Sequence, residues 1–491
     1  MQTCVGSGRF GTGRTIRALA PIAVVLALLA CIGVLAPPPA SATQLRLAPR
    51  SSTFAAPLRS AHAQSLAFAP QGLGYRPSPL APVTAAPAAR LLAAKGIMSG
   101  VGARKSLPAK FDLRRYRRVS PVRDQGPLST CWAFAACGSL ESTLLPAEKY
   151  AFSEDHLVLQ SGFDWAGYNG GGNDQMAAAY LLGWAGPLNA SSEPYGSSFT
   201  PPGLTAVKHV QSWVRLPKPS SPLDLDVIKG ELKRDGALYA VMYFAPNCYR
   251  ARTHAYYYSG PSGANHGIDI VGWDDHYAAG NFAPRPAGNG AFLCRNSWGR
   301  AWGARGYFWV SYYDSLITTE VAAWPQVENA SNYARCYQYD PYGETDNVGW
   351  PGHQFGWFAN QFTAAADGSL SAVGFGVPSG DALYAVWVGP SFSELSCVAS
   401  GKAPFAGFVT VKADAPVALT GGTSFVVAVC LSTLNYEYPV PIETLIPGYD
   451  SGASASPGQS YVSADGGSWT DLTTVPGYAN ANVCVKAYAS N

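Results

Sequence analysis

The 491-residue sequence is poor in charged residues, which make up only 13% of it. Its 34 Lys and Arg face 31 Asp and Glu, so the formal charge of +3 is nearly balanced. A nucleic-acid-binding protein usually carries a strongly basic face, and this composition argues against that class. With 52 Gly, 38 Pro and 47% hydrophobic residues, the sequence favours a loop-rich secreted protein with much β structure over a helical cytosolic one.

The sequence also lacks C-x-x-C pairs and any repeat of fixed period. Without closely spaced cysteines a zinc site is not expected, and we predict neither a metal nor a cofactor. The adjacent acids Asp274 and Asp275 are more typical of a turn than of a metal site. Eight cysteines follow the N-terminal region, and export would permit disulfides among them. We expect Cys137 and Cys294 to be buried, inert thiols.

Only one hydrophobic run is long enough to matter for targeting, "ALAPIAVVLALLACIGVLA". Arg9, Arg14 and Arg17 precede it, and Ala40-Ser41-Ala42 closes it with an A-x-A pattern. This order predicts a signal peptide over residues 1–42 and a secreted or surface-associated product without a membrane span in the mature chain. A retained anchor, or a lipoprotein joined through Cys31, remains as an alternative.

The rest of the chain divides into three regions by composition. Residues 43–106 are rich in Ala, Pro, Leu and Arg and predict a mostly irregular pro-segment or a plain linker. Residues 107–325 combine helical patterns with later strands such as "HGIDIVGW" and "GYFWVSYY". Residues 330–491 hold short strands between Gly, Pro, Asp and Ser turns, which is the pattern of an all-β sandwich.

A helix is predicted directly after "STCW". Ser129 and Thr130 are candidate caps, and Pro146 marks the end of the helix. Its apolar residues follow one helical stripe. The stripe consists of Ala133, Cys137, Leu140 and Leu144.

Cys131 lies at the predicted first turn of this helix, where the helix dipole would lower the pKa of a thiol. A nucleophilic cysteine also needs a base, an orienting group and donors for an oxyanion. His266 begins an alternating apolar strand, and Asn296 lies near a later strand with Trp298 beside it. Gln125 stands six residues before Cys131 and offers a side-chain donor. These residues form a candidate catalytic constellation.

Four blocks that carry these residues resemble, in order, the papain-like cysteine peptidases over residues 107–325. They are "PVRDQGPLSTCWAF", "FSEDHLVLQSG…YNGGGNDQM", "NHGIDIVGW" and "CRNSWGRAWGARGYF". The resemblance implies an α+β fold in which a helical half carries the cysteine and a β-barrel-like half carries the histidine and asparagine. It further implies peptide or protein substrates and a cleft between the halves.

The same resemblance implies a role for each residue. Cys131 would attack as a thiolate paired with His266, Asn296 would orient His266, and Gln125 would stabilise the oxyanion. Trp298 would shield the histidine–asparagine contact from water. Two further residues, Gly170 and Gly171, would offer backbone groups to an extended substrate.

The sequence departs from the family where disulfides are common. Leu128, Gln160 and Tyr168 stand at positions that often carry cysteine, so the disulfides of the helical half are expected to be absent. Residues 43–106 also lack the charged helical pattern common in the family's pro-segments.

The C-terminal region resembles the lectin-like β-domains of some exported microbial proteins through "YVSADGGSWTDL" and "YEYPVPIE". This resemblance makes residues 330–491 a candidate surface for cell-surface glycans. Six aromatic residues are candidates for stacking on sugars, although each of them is also a normal core residue. They are Trp350, Trp357, Trp387, Tyr436, Tyr438 and Trp469.

The sequence therefore predicts a secreted or surface-associated cysteine peptidase, with an open-ended cleft that favours endopeptidase action. Two other functions stay open. One is an inactive relative that serves as an adhesin or carbohydrate-binding protein. The other is a Cys-His acyltransferase of transglutaminase type, although that chemistry prefers Asp where this sequence has Asn296.

Overall fold

The computed structural model describes residues 45–55, 72–81, 83, 107–434 and 436–491. The predicted signal peptide lies outside these residues, as does most of the 43–106 region. No helix in the described ranges is long and apolar enough to cross a membrane. The eight cysteines of the described part are all free thiols, and Cys137 and Cys294 are buried.

The described part of the 43–106 region contacts both the C-terminal region and residues 107–325. It contains strand β1 (Arg46–Leu47), helix α1 (Ser52–Ala55) and an extended stretch over residues 72–80. Leu45 packs into the core of the C-terminal region, whereas Leu73 packs into the core of residues 107–325. This region therefore takes part in the fold and is held at several points.

Four longer helices follow, and three of them build the helical half. The helices are α2 (Cys131–Leu144), α3 (Glu154–Gln160), α4 (Asp174–Leu182) and α5 (Asp226–Asp235). Helix α2 is buried on nearly all sides, and Thr143 alone of its residues is half-buried. The predicted single stripe was too narrow, because this alanine-rich helix lies between the two halves and packs against both.

The two ends of α2 have different determinants. At its start Thr130 occupies the N-cap position, but its hydroxyl hydrogen-bonds with Tyr195 Oη at 2.6 Å and does not cap the helix. The predicted side-chain cap at Thr130 is therefore absent. At its end Leu145 is extended, because the residue before Pro146 is sterically excluded from continuing the helix.

The strands of the first region are short and mostly buried. They are β2 (Lys110–Asp112), β3 (Lys208–Val210), β4 (Trp213–Leu216), β5 (Leu238–Met242), β6 (Tyr249–Arg250), β7 (Ala255–Tyr256), β8 (His266–Asp274), β9 (Ala291–Arg295), β10 (Tyr307–Ser311), β11 (Val321–Ala323) and β12 (Val327–Asn329). Their main sheet runs in the order β4-β11-β5-β8-β9-β10-β7-β6. The β8–β9 pairing places the start of β8 close to the end of β9.

The C-terminal region is built from strands, as predicted for a sandwich. They are β13 (Arg335–Tyr337), β14 (Asp346–Gly349), β15 (Phe355–Thr363), β16 (Gly368–Val377), β17 (Ala382–Gly389), β18 (Ser396–Ala403), β19 (Ala406–Leu419), β20 (Ser424–Ser432), β21 (Val440–Glu443), β22 (Ser460–Ser463), β23 (Thr470–Asp471), β24 (Asn482–Val483) and β25 (Val485–Ser490). One sheet runs β18-β17-β20-β15-β22-β23, and it packs over β13-β25-β16-β19 and β14-β21-β24 through one apolar core. The α+β prediction, with a helical-plus-barrel part and a following β-rich domain, is confirmed.

The two regions share a hydrogen-bonded sheet. Strand β19 pairs with β4, with Ala406 opposite Arg215 and Phe408 opposite Trp213. Strand β1 also joins the C-terminal region, where Arg46 and Leu47 pair with β14. The main sheet of the first region therefore continues into the sandwich, and the N-terminal segment adds an edge strand to the β14-β21-β24 sheet.

Candidate active site

Cys131 is the first residue of α2 and is completely buried. Its Sγ accepts hydrogen bonds from the backbone N–H of Gly267 and from that of Gly74, each at 3.3 Å. Gly267 directly follows His266 at the start of β8. The central helix and the sheet thus bring the thiol and the histidine together across the boundary between the halves.

His266 is oriented by Asn296, which follows the last residue of β9. The ring Nε2 lies 2.8 Å from Asn296 Oδ1, and the same oxygen accepts the backbone N–H of Ser297 at 2.8 Å. Because Oδ1 can only accept, Nε2 carries the proton and the neutral ring has its lone pair on Nδ1. That atom has no hydrogen-bond partner within the described part of the chain. This tautomer suits a base that takes a proton from a thiol.

Trp298 covers the histidine as the sequence predicts. Its ring lies 4.6 Å from the His266 ring with an interplanar angle of 24°, and Phe244 packs edge-on against it at 4.6 Å. Both aromatic side chains are buried. The stack excludes water from the His266–Asn296 hydrogen bond and so strengthens that bond.

Gln125 is held with its amide N–H₂ directed into the cleft. Ser297 Oγ donates to its Oε1 at 2.6 Å, which fixes the amide orientation. Its Nε2 donates to the carbonyl oxygens of Leu128 at 2.7 Å and of Gly72 at 2.9 Å. The donor predicted for the oxyanion therefore holds a peptide carbonyl in this structure, and that carbonyl belongs to the N-terminal segment.

The N-terminal segment occupies the cleft across Cys131. Beyond the thiol, Gly172 N–H donates to Gly74 C=O at 2.9 Å, and Arg76 N–H donates to Gly172 C=O at 2.9 Å. These two bonds bracket Tyr75 in a parallel bridge. The wall that pairs with an extended chain is thus Gly172.

Gly170 and Gly171, the two glycines predicted for that wall, do not make these bonds. Gly170 N–H donates instead to Gly167 C=O within the loop, and Gly171 lies beside Gly74. A Cβ on Gly172 would approach the Trp132 ring within 2.5 Å, so this position requires glycine. The glycine that pairs is thus the third of "NGGGN", one residue beyond the two that the sequence predicts.

Burial sets the protonation states in this covered site. It raises the pKa of the Cys131 thiol to about 11 and lowers the pKa of His266 to about 4. The covered pair is therefore a neutral thiol and a neutral imidazole at pH 7. The expected lowering of the thiol pKa is not met here, because burial outweighs the backbone N–H groups that would stabilise a thiolate.

A buried ion pair between Arg295 and Asp269 lies next to Asn296 in the sequence. Arg295, the residue before Asn296, contacts Asp269 Oδ2 through Nη2 at 2.5 Å and Ser120 Oγ through Nη1 at 2.6 Å. The guanidinium lies against Gly138 of α2, where a Cβ would come within 1.4 Å of Nη2. Sequence motifs did not reveal this pair, because Asp269 and Gly138 meet only in the fold.

Other predicted polar positions have ordinary structural roles. Asp274 pairs with Lys110 and Asp275 with Lys229, each at 2.6 Å. In the ranges that the structure describes, no group of three or more His, Cys, Asp or Glu residues is arranged to hold a metal.

The six candidate sugar-stacking aromatics do not form one surface. Trp350 is a core residue with 1% exposure, and Tyr436 and Tyr438 pair with each other. Trp357, Trp387 and Trp469 are half-buried and lie together on one face of the β17-β20-β15-β22 sheet. Only these three stay together as a candidate aromatic patch.

The fold and the site define a class. A cysteine that starts a central helix faces a histidine and an asparagine on a sheet, which is the arrangement of papain-like cysteine proteases. Residues 107–323 match the model of the family described as papain family cysteine protease, and residues 336–489 match that of the lectin like domain. The chain therefore carries a papain-family cysteine protease domain and, after it, a lectin-like domain.

Individual relatives agree with this assignment. Cysteine proteinase 15A of Pisum sativum is 30% identical over 236 residues, which cover 44% of this chain and 63% of that protein. Testin-2 of Rattus norvegicus is 26% identical over 218 residues, which cover 41% of this chain and 60% of that protein. The chain thus spans about three-fifths of the length of these curated relatives.

Solved structures cover both domains. The cysteine protease and lectin-like domains of Cwp84, a surface layer associated protein of Clostridium difficile, have a TM-score of 0.75 at 23% identity, covering 91% of this chain and 98% of that chain. A variant of the clostridial cysteine protease Cwp84 after propeptide cleavage has a TM-score of 0.70 at 25% identity, covering 78% of this chain and 99% of that chain. The two-domain architecture is therefore shared with a protein of known structure.

Proposed function

We propose that the chain is the precursor of a secreted or surface-associated cysteine endopeptidase. The observation that carries this proposal is the assembly of Cys131, His266, Asn296 and Gln125 in one cleft that already holds an extended peptide segment. The signal-peptide pattern and the likeness to a protein described as surface layer associated support the location.

The geometry supports acyl transfer to water. With the cleft open, His266 Nδ1 takes the thiol proton, and the Cys131 thiolate attacks the substrate carbonyl carbon. Gln125 Nε2 donates to the oxygen that becomes negative, as it does to the Gly72 carbonyl here. The imidazolium then protonates the leaving amine, which leaves a thioester on Cys131. Water, deprotonated by His266, attacks this thioester and releases the acid.

The described part of residues 43–106 acts in this proposal as an inhibitory pro-segment rather than a spacer. It engages Gln125, Cys131 and Gly172 at once, which are three of the groups that a substrate would use. It keeps the thiol buried and neutral. A second anchor of the segment, its pairing with β14, lies outside the cleft. The segment must leave before a substrate can bind.

The C-terminal domain is proposed to bind cell-surface glycans through the patch of Trp357, Trp387 and Trp469. Ring faces of half-buried aromatics are the groups that stack on sugars. Such binding would hold the peptidase near its protein substrates at the cell surface.

The proposal is tested on the full chain from Thr43 with a site for an added, sequence-specific protease inserted within residues 84–106. An epoxide that alkylates activated papain-type thiolates is applied before and after cutting, and adducts are mapped by mass spectrometry. We expect one adduct, on Cys131, after cutting and almost none before. The adduct should be lost in Cys131→Ala and in His266→Ala.

Other outcomes would favour the rival functions. A folded, cut chain that takes up no epoxide and cleaves no peptide would favour the inactive adhesin. An adduct on Cys131 together with amine transfer in preference to hydrolysis would favour the acyltransferase.

A further inference from the structure

One tyrosine side chain joins the residue before Cys131 to the residue that carries the oxyanion donor. The hydroxyl of Tyr195 donates to the backbone C=O of Gln125 at 3.0 Å. The hydroxyl of Thr130 lies 2.6 Å from the same tyrosine oxygen. Because Tyr195 has one hydroxyl proton and gives it to Gln125, Thr130 is the donor in the second bond. The hydrogen bonds therefore run in one direction, from Thr130 through Tyr195 to Gln125.

This contact uses a threonine hydroxyl that would normally stabilise a helix. Thr130 is the N-cap residue of α2, a position where a threonine side chain usually accepts a backbone N–H of the first turn. In this chain it makes no such bond. Thr130 is fully buried, and its hydroxyl bonds to Tyr195 instead. The start of α2 thus gives up a side-chain cap in exchange for a contact with Tyr195.

The two proposed oxyanion donors lie at opposite ends of one short loop. Gln125 Nε2 is at its beginning, and the backbone N–H of Cys131 is at its end. No disulfide fastens this loop, because the eight cysteines in the described part of the chain are all free thiols. On the side of the sheet, Gln125 N–H donates to Ser297 C=O at 2.8 Å. On the side of the helices, Tyr195 links Gln125 to the start of α2.

Tyr195 is itself held in place by a buried carboxylate and by packing. Asp155, in the first turn of α3, accepts the backbone N–H of Gly196 at 2.9 Å and that of Ser197 at 3.2 Å. The Tyr195 ring packs edge-on against Phe134 of α2 at 4.8 Å. Burial raises the pKa of Tyr195, so its hydroxyl stays protonated and remains a donor. The tyrosine is therefore a fixed point between α2, α3 and the loop.

A half-buried tyrosine that bonds to a backbone carbonyl is a common feature, and by itself it would indicate only a contribution to stability. The identity of its two partners points to more than stability. Gln125 Nε2 and Cys131 N–H must both lie about 3 Å from one oxygen, and a displacement of about 1 Å costs catalysis heavily. A hydrogen-bonded link between the two ends of the loop sets the distance between these donors.

We propose that Tyr195 is a positioning residue of the oxyanion hole, which fixes Gln125 at the distance from α2 that lets both donors reach one oxygen. Tyr195 acts through Gln125 and does not contact the substrate. Asp155 acts one step further away, because it fixes the backbone that follows Tyr195. This proposal rests on the proposed peptidase function and adds a residue to the machinery of that same site.

The test compares peptide hydrolysis with thiol alkylation in the full chain cut as above. Hydrolysis passes through an oxyanion when the thioester forms and again when water attacks it, whereas alkylation of Cys131 by iodoacetamide forms none. In Tyr195→Phe, kcat and kcat/KM for a fluorogenic peptide should both fall about tenfold, with KM within about twofold of the parent. The alkylation rate of Cys131 and its pH profile should stay those of the parent. Tyr116→Phe is the matched control and should keep both rates, because Tyr116 is 57% exposed.

A second set of variants separates positioning from a general structural role. Tyr195→Phe added to Gln125→Ala should cause little further loss of kcat, since the donor that Tyr195 positions is already absent. Thr130→Val keeps the shape of the side chain but removes the donor to Tyr195, so kcat should fall several-fold. Thr130→Ser keeps the hydroxyl and should recover most of this loss. The Thr130 pair also decides the proposal if Tyr195→Phe does not fold.

Three results would overturn the positioning proposal and leave the peptidase function standing. The first is parent-level hydrolysis in Tyr195→Phe, or in Thr130→Val where Tyr195→Phe does not fold. The second is an equal loss of hydrolysis and of alkylation, and the third is a loss that multiplies with that of Gln125→Ala. If the cut parent cleaves no peptide and Cys131 takes up no iodoacetamide, the peptidase function itself fails.

Discussion

The catalytic cleft and the aromatic patch of the lectin-like domain differ in how closely their side chains are held. In the cleft His266, Asn296 and Gln125 each have a hydrogen-bond partner that fixes their orientation. In the patch the ring of Trp357 packs against those of Trp387 and Trp469, but the indole N–H groups of Trp387 and Trp469 are buried without partners among the described residues. The cleft is therefore organised for one reaction, whereas the patch has no comparable preorganisation.

The largest effect expected from this difference is on peptide cleavage. In the proposed mechanism His266 is the base, so kcat/KM of the cut chain should fall by about 10⁴-fold or more in His266→Ala. Gln125→Ala leaves the base but removes one oxyanion donor, and it should cost about 10²-fold to 10³-fold in kcat. Initial rates with the best fluorogenic peptide measure both.

His276→Ala serves as the matched control for the histidine, because His276 lies exposed in the turn after β8. It should keep the parent activity. An equal loss in His276→Ala and His266→Ala would contradict the assignment of His266 as the base.

The next largest effect concerns stability behind the cleft. Gly138→Ala would place a methyl group 1.4 Å from Arg295 Nη2 and 2.7 Å from Asp269 Oδ2. Since this separates a buried ion pair, we expect a loss of about 3–5 kcal/mol in the free energy of unfolding. Chemical denaturation followed by tryptophan fluorescence measures the change.

Gly230→Ala is the control for that substitution. Gly230 lies within α5 with open space around it, and alanine favours a helix, so this variant should gain about 0.5–1 kcal/mol. If Gly138→Ala were as stable as the parent, the Arg295–Asp269 pair would not support the site as described.

The sequence alone selected the candidate site residues, which the fold brings together, and there is a physical reason for this. Cys131, His266 and Asn296 lie in short sequence blocks whose neighbouring residues also have specific roles, such as Trp298 covering the histidine, so each block carries several signals at once.

Gly172 was missed because three consecutive glycines cannot be told apart in the sequence, and only the fold packs Trp132 against one of them. Asp269 and Gly138 had no local signal, since their contacts join distant parts of the chain. The pairing of β4 with β19 could not be predicted either, because local sequence patterns do not determine the order of strands in a sheet.

Both domains contain buried carboxyl groups, which predicts a common response to pH. Burial raises the pKa of Glu154 in the first domain to about 7, and that of Glu344 and Glu443 in the second to about 7 and about 8. In the unfolded chain these groups titrate near pH 4, at about 3.9–4.3. Between these values the folded protein binds more protons, so its stability falls as the pH rises from about 4 to about 8.

Thermal unfolding of the full chain at pH 5 and at pH 8 tests this response. The melting temperature should be higher at pH 5, and Glu443→Gln should reduce the difference by keeping one of the groups neutral. A melting temperature that rises from pH 5 to pH 8 would show that these carboxyl groups are ionised and well paired in the folded protein.

The smallest effect on the fold is expected from the aromatic patch. Trp350 is enclosed in the core of the lectin-like domain, so Trp350→Ala should cost about 3–5 kcal/mol of stability. Trp469 is only half-buried, so Trp469→Ala should cost only about 1 kcal/mol. If the patch binds glycans, Trp469→Ala should nevertheless weaken retention on a glycan array about tenfold, since stacking on one ring face contributes on the order of 1 kcal/mol or more. Unchanged retention in a folded Trp469→Ala chain would place any sugar site elsewhere, and the patch would then be a packing feature like the core around Trp350.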